Sequence, residues 1–240
     1  MKLLDTNGGN TKLAKNASAE NIRFAGLSLY PNDTICPMRH IAACAEPCLI
    51  SSGRGAFDNV ANGRQNKTDY FLDDRAGFLQ QLRRELANFQ KLCEKTGATP
   101  WVRLNVISDI QYETEAFGAI PQQFPRLNFL DYTKIAKRLD KTPANYSLMF
   151  SYSKAPAYQA QVKQALKTGV PVSAVFLGPM PKTFLGRPVF NGDKSDLLNV
   201  KKRGHVIGLK YKPAKGKGIN PADQVFVIDT RNQIPALMVA

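Results

Sequence analysis

"DDRAGFLQQLRRELANFQKLCEKTG" (Asp73–Gly97) followed by "WVRLNVISD" (Trp101–Asp109) carries the reading of the fold. Phe78, Leu82, Leu86, Phe89 and Cys93 recur at helical spacing, with Arg83, Arg84 and Glu85 off the stripe. Asp73 or Asp74 can cap the start and Gly97 can end the helix. The apolar run behind it, bounded by Pro100 and Asp109, reads as a buried strand. Cys93 lies on the apolar stripe and is expected to be a small core residue.

The same pattern repeats on either side. "NIRFAGLSLYP" (21–31) alternates Ile22, Phe24, Leu27 and Leu29 as a strand does. "LNFLDYT" (127–133), "YSLMFSYS" (146–153), "VPVSAVFLG" (170–178), "GHVIGLKY" (204–211) and "DQVFVIDT" (223–230) are strand-like. Between them, "IAKRLDKT" (135–142) and "PAYQAQVKQALKTG" (156–169) are helical, the latter with Pro156 in its first turn and Gly169 past its end. Strands alternating with helices predict an α/β fold with a mostly parallel sheet. The expected form is a partial or irregular (β/α) barrel with a cysteine-bearing loop after the first strand, the alternative being an open doubly wound sheet. One domain over 1–240 is expected, with 1–20 a loosely docked N-terminal segment and 201–218 a basic strand-loop region.

Composition narrows the partners. The chain has 240 residues, with 33 Lys and Arg against 19 Asp and Glu, a net charge of +14. Seven of the basic residues, Lys201, Lys202, Arg203, Lys210, Lys212, Lys215 and Lys217, fall in one acid-free run, "KKRGHVIGLKYKPAKGKG". Phosphate backbones attract such a run, so nucleic acid or a nucleotide is the expected partner and these residues the expected contacts. A solvated basic face is the alternative. No apolar run is long enough to span a bilayer, and the N-terminus lacks a secretory pattern. A cytoplasmic protein is therefore expected.

Three of the four cysteines and one of the two histidines lie in "CPMRHIAACAEPC": Cys36, His40, Cys44 and Cys48, each four residues after the last. In a straight helix the outer two would stand about 18 Å apart, at roughly 1.5 Å per residue, too far for one metal. Pro37 and Pro47 predict a bent segment instead. All four residues would make a closed Cys3His zinc site, whereas the three cysteines alone would hold an iron–sulfur cluster with one open iron. Burial of small residues in an Ala-rich segment is the third reading.

In parallel sheets, ligands collect at the carboxyl ends of the strands. The residues there are Ser108 and Asp109, then Asp131 to Lys134, then Ser151, Tyr152, Ser153 and Lys154. Asp109, Lys134 and Tyr152 are the catalytic candidates, and Ser108 with Arg54 of the "SSGRG" turn the cofactor-binding ones. Asp193 and Asp196 in "GDKSDLLN" read as a turn and helix cap rather than a cation site, and His205 has no partner for catalysis. "AKGKG" lacks the full phosphate-loop pattern. Tyr70, Tyr112, Tyr132, Tyr152 and Tyr211 are interleaved with basic residues, where rings can stack on bases, although most of them read as half-buried strand residues.

"TICPMRHIAACAEPCLISSGRG" (34–55), with "RLNVISDI" (103–110) and "LDYTK" (130–134), resembles the three-cysteine-motif proteins of phages and mobile elements. These are similar to radical S-adenosylmethionine enzymes, whose partial barrel carries a cluster on three cysteines after the first strand. The resemblance implies metal ligation by Cys36, Cys44 and Cys48, with an iron–sulfur cluster and S-adenosylmethionine, or zinc, as cofactor. It implies an enzyme of base or nucleotide modification. Two alternatives stand beside it: a non-enzymatic zinc protein that binds nucleic acid or modulates a host protein, and a barrel base-exchange glycosyltransferase.

Overall fold

The computed structural model describes residues 1–6, 21–51, 57–213 and 225–232. The strands are β1 (Leu4–Asp5), β2 (Ile22–Leu27), β3 (Thr99–Arg103), β4 (Asn128–Thr133), β5 (Tyr146–Ser151), β6 (Val172–Leu177), β7 (Thr183–Phe184), β8 (Arg187–Asn191), β9 (Val206–Lys210) and β10 (Val227–Asp229). The α-helices are α1 (Asp58–Asp73), α2 (Arg75–Thr96), α3 (Ile120–Gln123), α4 (Gln159–Lys167) and α5 (Asp196–Val200). The strand order is β1-β2-β3-β4-β5-β6-β9-β8-β7, with β10 against β6. β1–β2 and β7–β8 pair antiparallel. β2–β3, β3–β4, β5–β6, β6–β9, β8–β9 and β6–β10 pair parallel. The fold is thus α/β with a mostly parallel sheet, as expected, and the sheet is open, ending in β1 and β7. The cysteine-bearing segment does follow β2, the strand read from "NIRFAGLSLYP".

The chain divides into two compact units. The first comprises Met1–Cys36, Phe57–Tyr132 and Lys141–Leu148; the second comprises Pro37–Ala56, Thr133–Asp140 and Met149–Ala240.

In the first unit, α2 is built as its sequence dictates. The Asp74 carboxylate accepts from the Gly77 amide at 2.8 Å, and Gly97 closes the helix at φ 62°. The full stripe of Phe78, Leu82, Leu86, Phe89 and Cys93 is buried. β2 is buried at all positions but Arg23, because a parallel strand is covered on both faces. β1 is an end strand, and its outer amides are not left open. Leu3 and Leu4 donate to the Glu85 carboxylate at 2.9 and 2.7 Å, and Lys67 donates to the Leu3 carbonyl at 2.9 Å.

In the second unit, Phe150, Tyr152, Tyr158, Val162, Val172, Phe176 and Val206 form the core. The register of β6 decides where a ligand can approach. On one edge β6 pairs with β9 through Val172–Phe176. On the other, β5 stops at Ser151 opposite Ser173, and β10 begins at Val227 opposite Val175. β10 therefore takes over the place beside β6 that β5 leaves at its carboxyl end. Strand replacement of this kind opens the exit of the first strand, as a change of strand order does in doubly wound sheets.

Candidate functional site

The segment Cys36–Cys48 is a chain of turns, not a helix. Ala42 donates to the Met38 carbonyl at 2.8 Å and Cys44 to that of Arg39 at 2.9 Å, and Ala43 then takes φ 50°. The bend predicted from the prolines is present, and the four-residue spacing marks no helical face. Cys36 belongs to the first unit and Cys44, Cys48 and His40 to the second. The Cys36 thiol donates to the Ile107 carbonyl at 3.6 Å. His40 is exposed. Cys44 packs against the core of the second unit. Burial pushes the Cys48 thiol above its ordinary value, and the nearby Cys44 adds to this. The Ile50 backbone and the charges of Lys134 and Arg39 act the other way. Among the described residues, no three His, Cys, Asp or Glu side chains gather as a metal would require. Arg54 lies outside the described residues.

The exit of β3, in the first unit, is organised by buried polar groups. Asp131, fully buried, accepts from the amides of Leu104 and Asn105 at 3.2 and 3.0 Å and from the Tyr146 hydroxyl at 2.9 Å. Arg103 Nε stands 3.8 Å from the same carboxylate. Asn105 donates to the Ile110 carbonyl and accepts from the Ile110 amide and the Ser108 hydroxyl, all at 2.8–2.9 Å. Ser108 is thus engaged in holding the loop. Asp109 is buried beside it, its amide donating to the Ile35 carbonyl at 2.8 Å. Cys36, Ser108 and Asp109 therefore meet around one loop. The Tyr112 hydroxyl, wholly buried near Asp131, has no hydrogen-bond partner among the described residues.

The exit of β5, in the second unit, brings a cation to a hydroxyl. Lys134, directly after β4, donates from Nζ to Ser151 Oγ at 3.1 Å, and its ammonium stands 5.2 Å from the centre of the Phe226 ring. The Tyr158 hydroxyl reaches the backbone carbonyls of both Lys134 and Ser151 at 2.9 Å. Its ring stacks on Phe150 with centroids 5.6 Å apart. The pair is consequently fixed by packing and not by the side chains alone. Tyr152, the third catalytic candidate, is packed into the core of the second unit. It is 7% exposed, its ring set edge-on to Phe184 at 5.3 Å, and burial pushes its hydroxyl above the ordinary tyrosine range. Asp229 and Arg231 close the exit of β10, where the guanidinium holds the carboxyl down to about 2.

Ser151, Tyr158 and Phe226 were not among the candidates drawn from the sequence. Ser151 did stand at a strand exit there; Tyr158 and Phe226 had no local signal, since long-range contacts give them their place.

The basic run is divided in its use. Arg203 donates to the Thr168 carbonyl at 2.8 Å. Arg187 donates to those of Val170 and Leu166, so both arginines cap the end of α4. Lys202 stands 4.7 Å from the centre of the Phe190 ring. Lys201, Lys210 and Lys212 are exposed, and Lys215 and Lys217 lie outside the described residues. Asp193 accepts from the Lys210 amide and Ser195 caps α5, in line with the turn-and-cap reading of "GDKSDLLN".

Among the described residues, no helix is long and apolar enough to cross a membrane. Neither the curated proteins nor the solved structures compared with the chain contain a match. The sequence pattern of one protein family, Gene product 88, matches residues 1–225. With that match running over most of its length, the chain belongs to the Gene product 88 family and is a phage-type protein.

Proposed function

We propose that this protein acts on a nucleotide or nucleic acid at the exit of β5, as a base- or nucleotide-modifying enzyme. One observation carries the reading: the Lys134 ammonium bonded to Ser151 Oγ where β10 takes over from β5. An ammonium and a hydroxyl held together are donors for a phosphate oxygen. The half-buried Phe226 ring beside them suits an aromatic base, and the exposed Lys201, Lys210 and Lys212 suit a phosphate backbone. The net charge of +14 draws such ligands in. Binding of a labelled oligonucleotide and of nucleoside monophosphates to the wild type and to Lys134→Met tests this. The variant should bind at least about tenfold more weakly, as removal of one charged hydrogen bond implies. Equal binding by both would remove Lys134 from the site.

A second reading is favoured by the Cys44 and Cys48 thiols, which lie near each other in the second unit. They fit a soft metal as two of its donors, and would hold zinc or part of an iron–sulfur centre used with S-adenosylmethionine. Anaerobic purification followed by metal analysis and a visible spectrum tests it. Iron with broad visible absorption supports a cluster, and zinc without colour supports a structural site. Protein that contains neither metal when fresh ends this reading and leaves the phosphate reading intact.

A further inference from the structure

We infer that Ser151 is a covalent nucleophile toward phosphoesters, with Lys134 as the group that takes and returns its proton. The inference deepens the reading of the β5 exit as a nucleotide or nucleic-acid site and rests on it for the substrate class. Serine and lysine within hydrogen-bond reach are a known nucleophile–base arrangement, recognised by geometry and not by position in a chain. Three features set this pair apart from a surface contact. Nζ and Oγ are 3.1 Å apart, inside the reach required for proton transfer. Ser151 is buried, with 7% of its surface exposed. The Tyr158 hydroxyl binds the carbonyls of both residues, fixing the backbone on which the pair is carried.

The step is a phosphoryl transfer. Lys134 first gives up a proton to solvent and becomes the acceptor of its bond with Ser151 Oγ; Oγ then attacks the phosphorus while the Lys134 amine takes the hydroxyl proton. The bond from phosphorus to the leaving oxygen breaks, and that oxygen takes the proton back from the Lys134 ammonium. Between those events the ammonium lies against the oxygens on which charge accumulates. Water later cleaves the phosphoserine by the same relay, returning Ser151 and releasing the phosphorylated product. Water is the one co-reactant, and no oxidant or reductant is needed.

A biotinylated fluorophosphonate, whose P–F bond breaks with loss of fluoride, tests the pair in the intact protein. Tryptic mass spectrometry should find one adduct, on Ser151. Ser151→Ala should abolish it. Lys134→Met and Lys134→Arg should each slow labelling by at least about a hundredfold, since a guanidinium accepts no proton. Near-ultraviolet circular dichroism shows whether each variant is folded. If Ser151→Ala does not fold, the mapped position of the wild-type adduct decides. An adduct absent from folded wild type, an adduct on another residue, or folded Lys134→Met labelled at the wild-type rate would overturn the inference. The two proposals fail separately: an adduct without nucleotide or oligonucleotide binding leaves the nucleophile and removes the substrate reading. Binding without an adduct removes the nucleophile.

Discussion

Asp131 shows how much one buried carboxylate organises. It holds two backbone amides, the Tyr146 hydroxyl and the Arg103 guanidinium, the latter's side chain only 9% exposed. Removing it leaves the three hydrogen-bond donors without that acceptor, and the guanidinium without that counter-charge, in the protein interior. Asp131→Ala should lose about 3–5 kcal/mol, the usual cost of breaking a buried pair, read from the urea midpoint. Tyr112→Phe should go the other way. Its hydroxyl is buried, lacks a hydrogen-bond partner among the described residues, and lies near the Asp131 charge. Deleting it should leave stability unchanged or raise it by about 1 kcal/mol, and a clear loss would show a hidden partner. Titration follows the same physics. Burial raises the Cys48, Tyr112 and Tyr152 values above their ordinary 9.0, 10.0 and 10.0. Below pH 9 these groups are protonated whether the chain is folded or not, and their contribution is complete. As pH rises past 9.0 the unfolded chain ionises first, so stability should fall. Urea titrations at stepped pH check this, and Cys48→Ala should flatten the first part of the decline.

Helices and strands differ in how openly they are written. α2 was legible because its stripe, its Asp74 cap and its closing Gly97 all agree, and every predicted core residue of it is buried. α1 carried no such signal. "DNVANGRQNKTDYFLD" is polar almost throughout, with only Thr68 and Phe71 buried, so its helical state is settled by packing on α2. The short β1, β7 and β8 were likewise invisible, being pairs or edges that a neighbour creates. The strand read from "WVRLNVISD" ends early, at Arg103, because Asn105 and Asp131 bond the following amides and turn the chain. The α2 cap gives an element-level prediction. A Cβ on Gly77 would collide with the Asp74 carboxylate that caps the helix. Gly77→Ala should therefore destabilise the protein, although alanine is the better helix former, and Asp74→Ala should cost about 1 kcal/mol. Thermal melts of both variants check this.

At the scale of the molecule, the alternation of strands and helices foretold a parallel α/β sheet, and its openness was beyond periodicity to decide. The candidate site was legible in part for the same reason. Lys134 stood at a strand exit in the sequence, but the strand β10 that frames it comes from about ninety residues further on in the chain. The distribution of charge also separates structural from ligand-binding residues. Arg187 and Arg203 cap α4, so replacing them should lower the melting temperature and leave the salt dependence of binding unchanged. Replacing Lys201, Lys210 and Lys212 by Ala should do the reverse, reducing the slope of log affinity against log salt by up to about one for each phosphate no longer neutralised. The central claim, that the exit of β5 receives a phosphate-bearing ligand, is tested most directly by fluorescence anisotropy. A labelled single-stranded oligonucleotide is titrated with wild type and Lys134→Met at about 50 and about 200 mM salt. Wild-type binding should weaken as salt rises, and binding by Lys134→Met should be weaker by about tenfold or more at both concentrations. No wild-type binding at the lower salt, or identical curves for the two proteins, would contradict it.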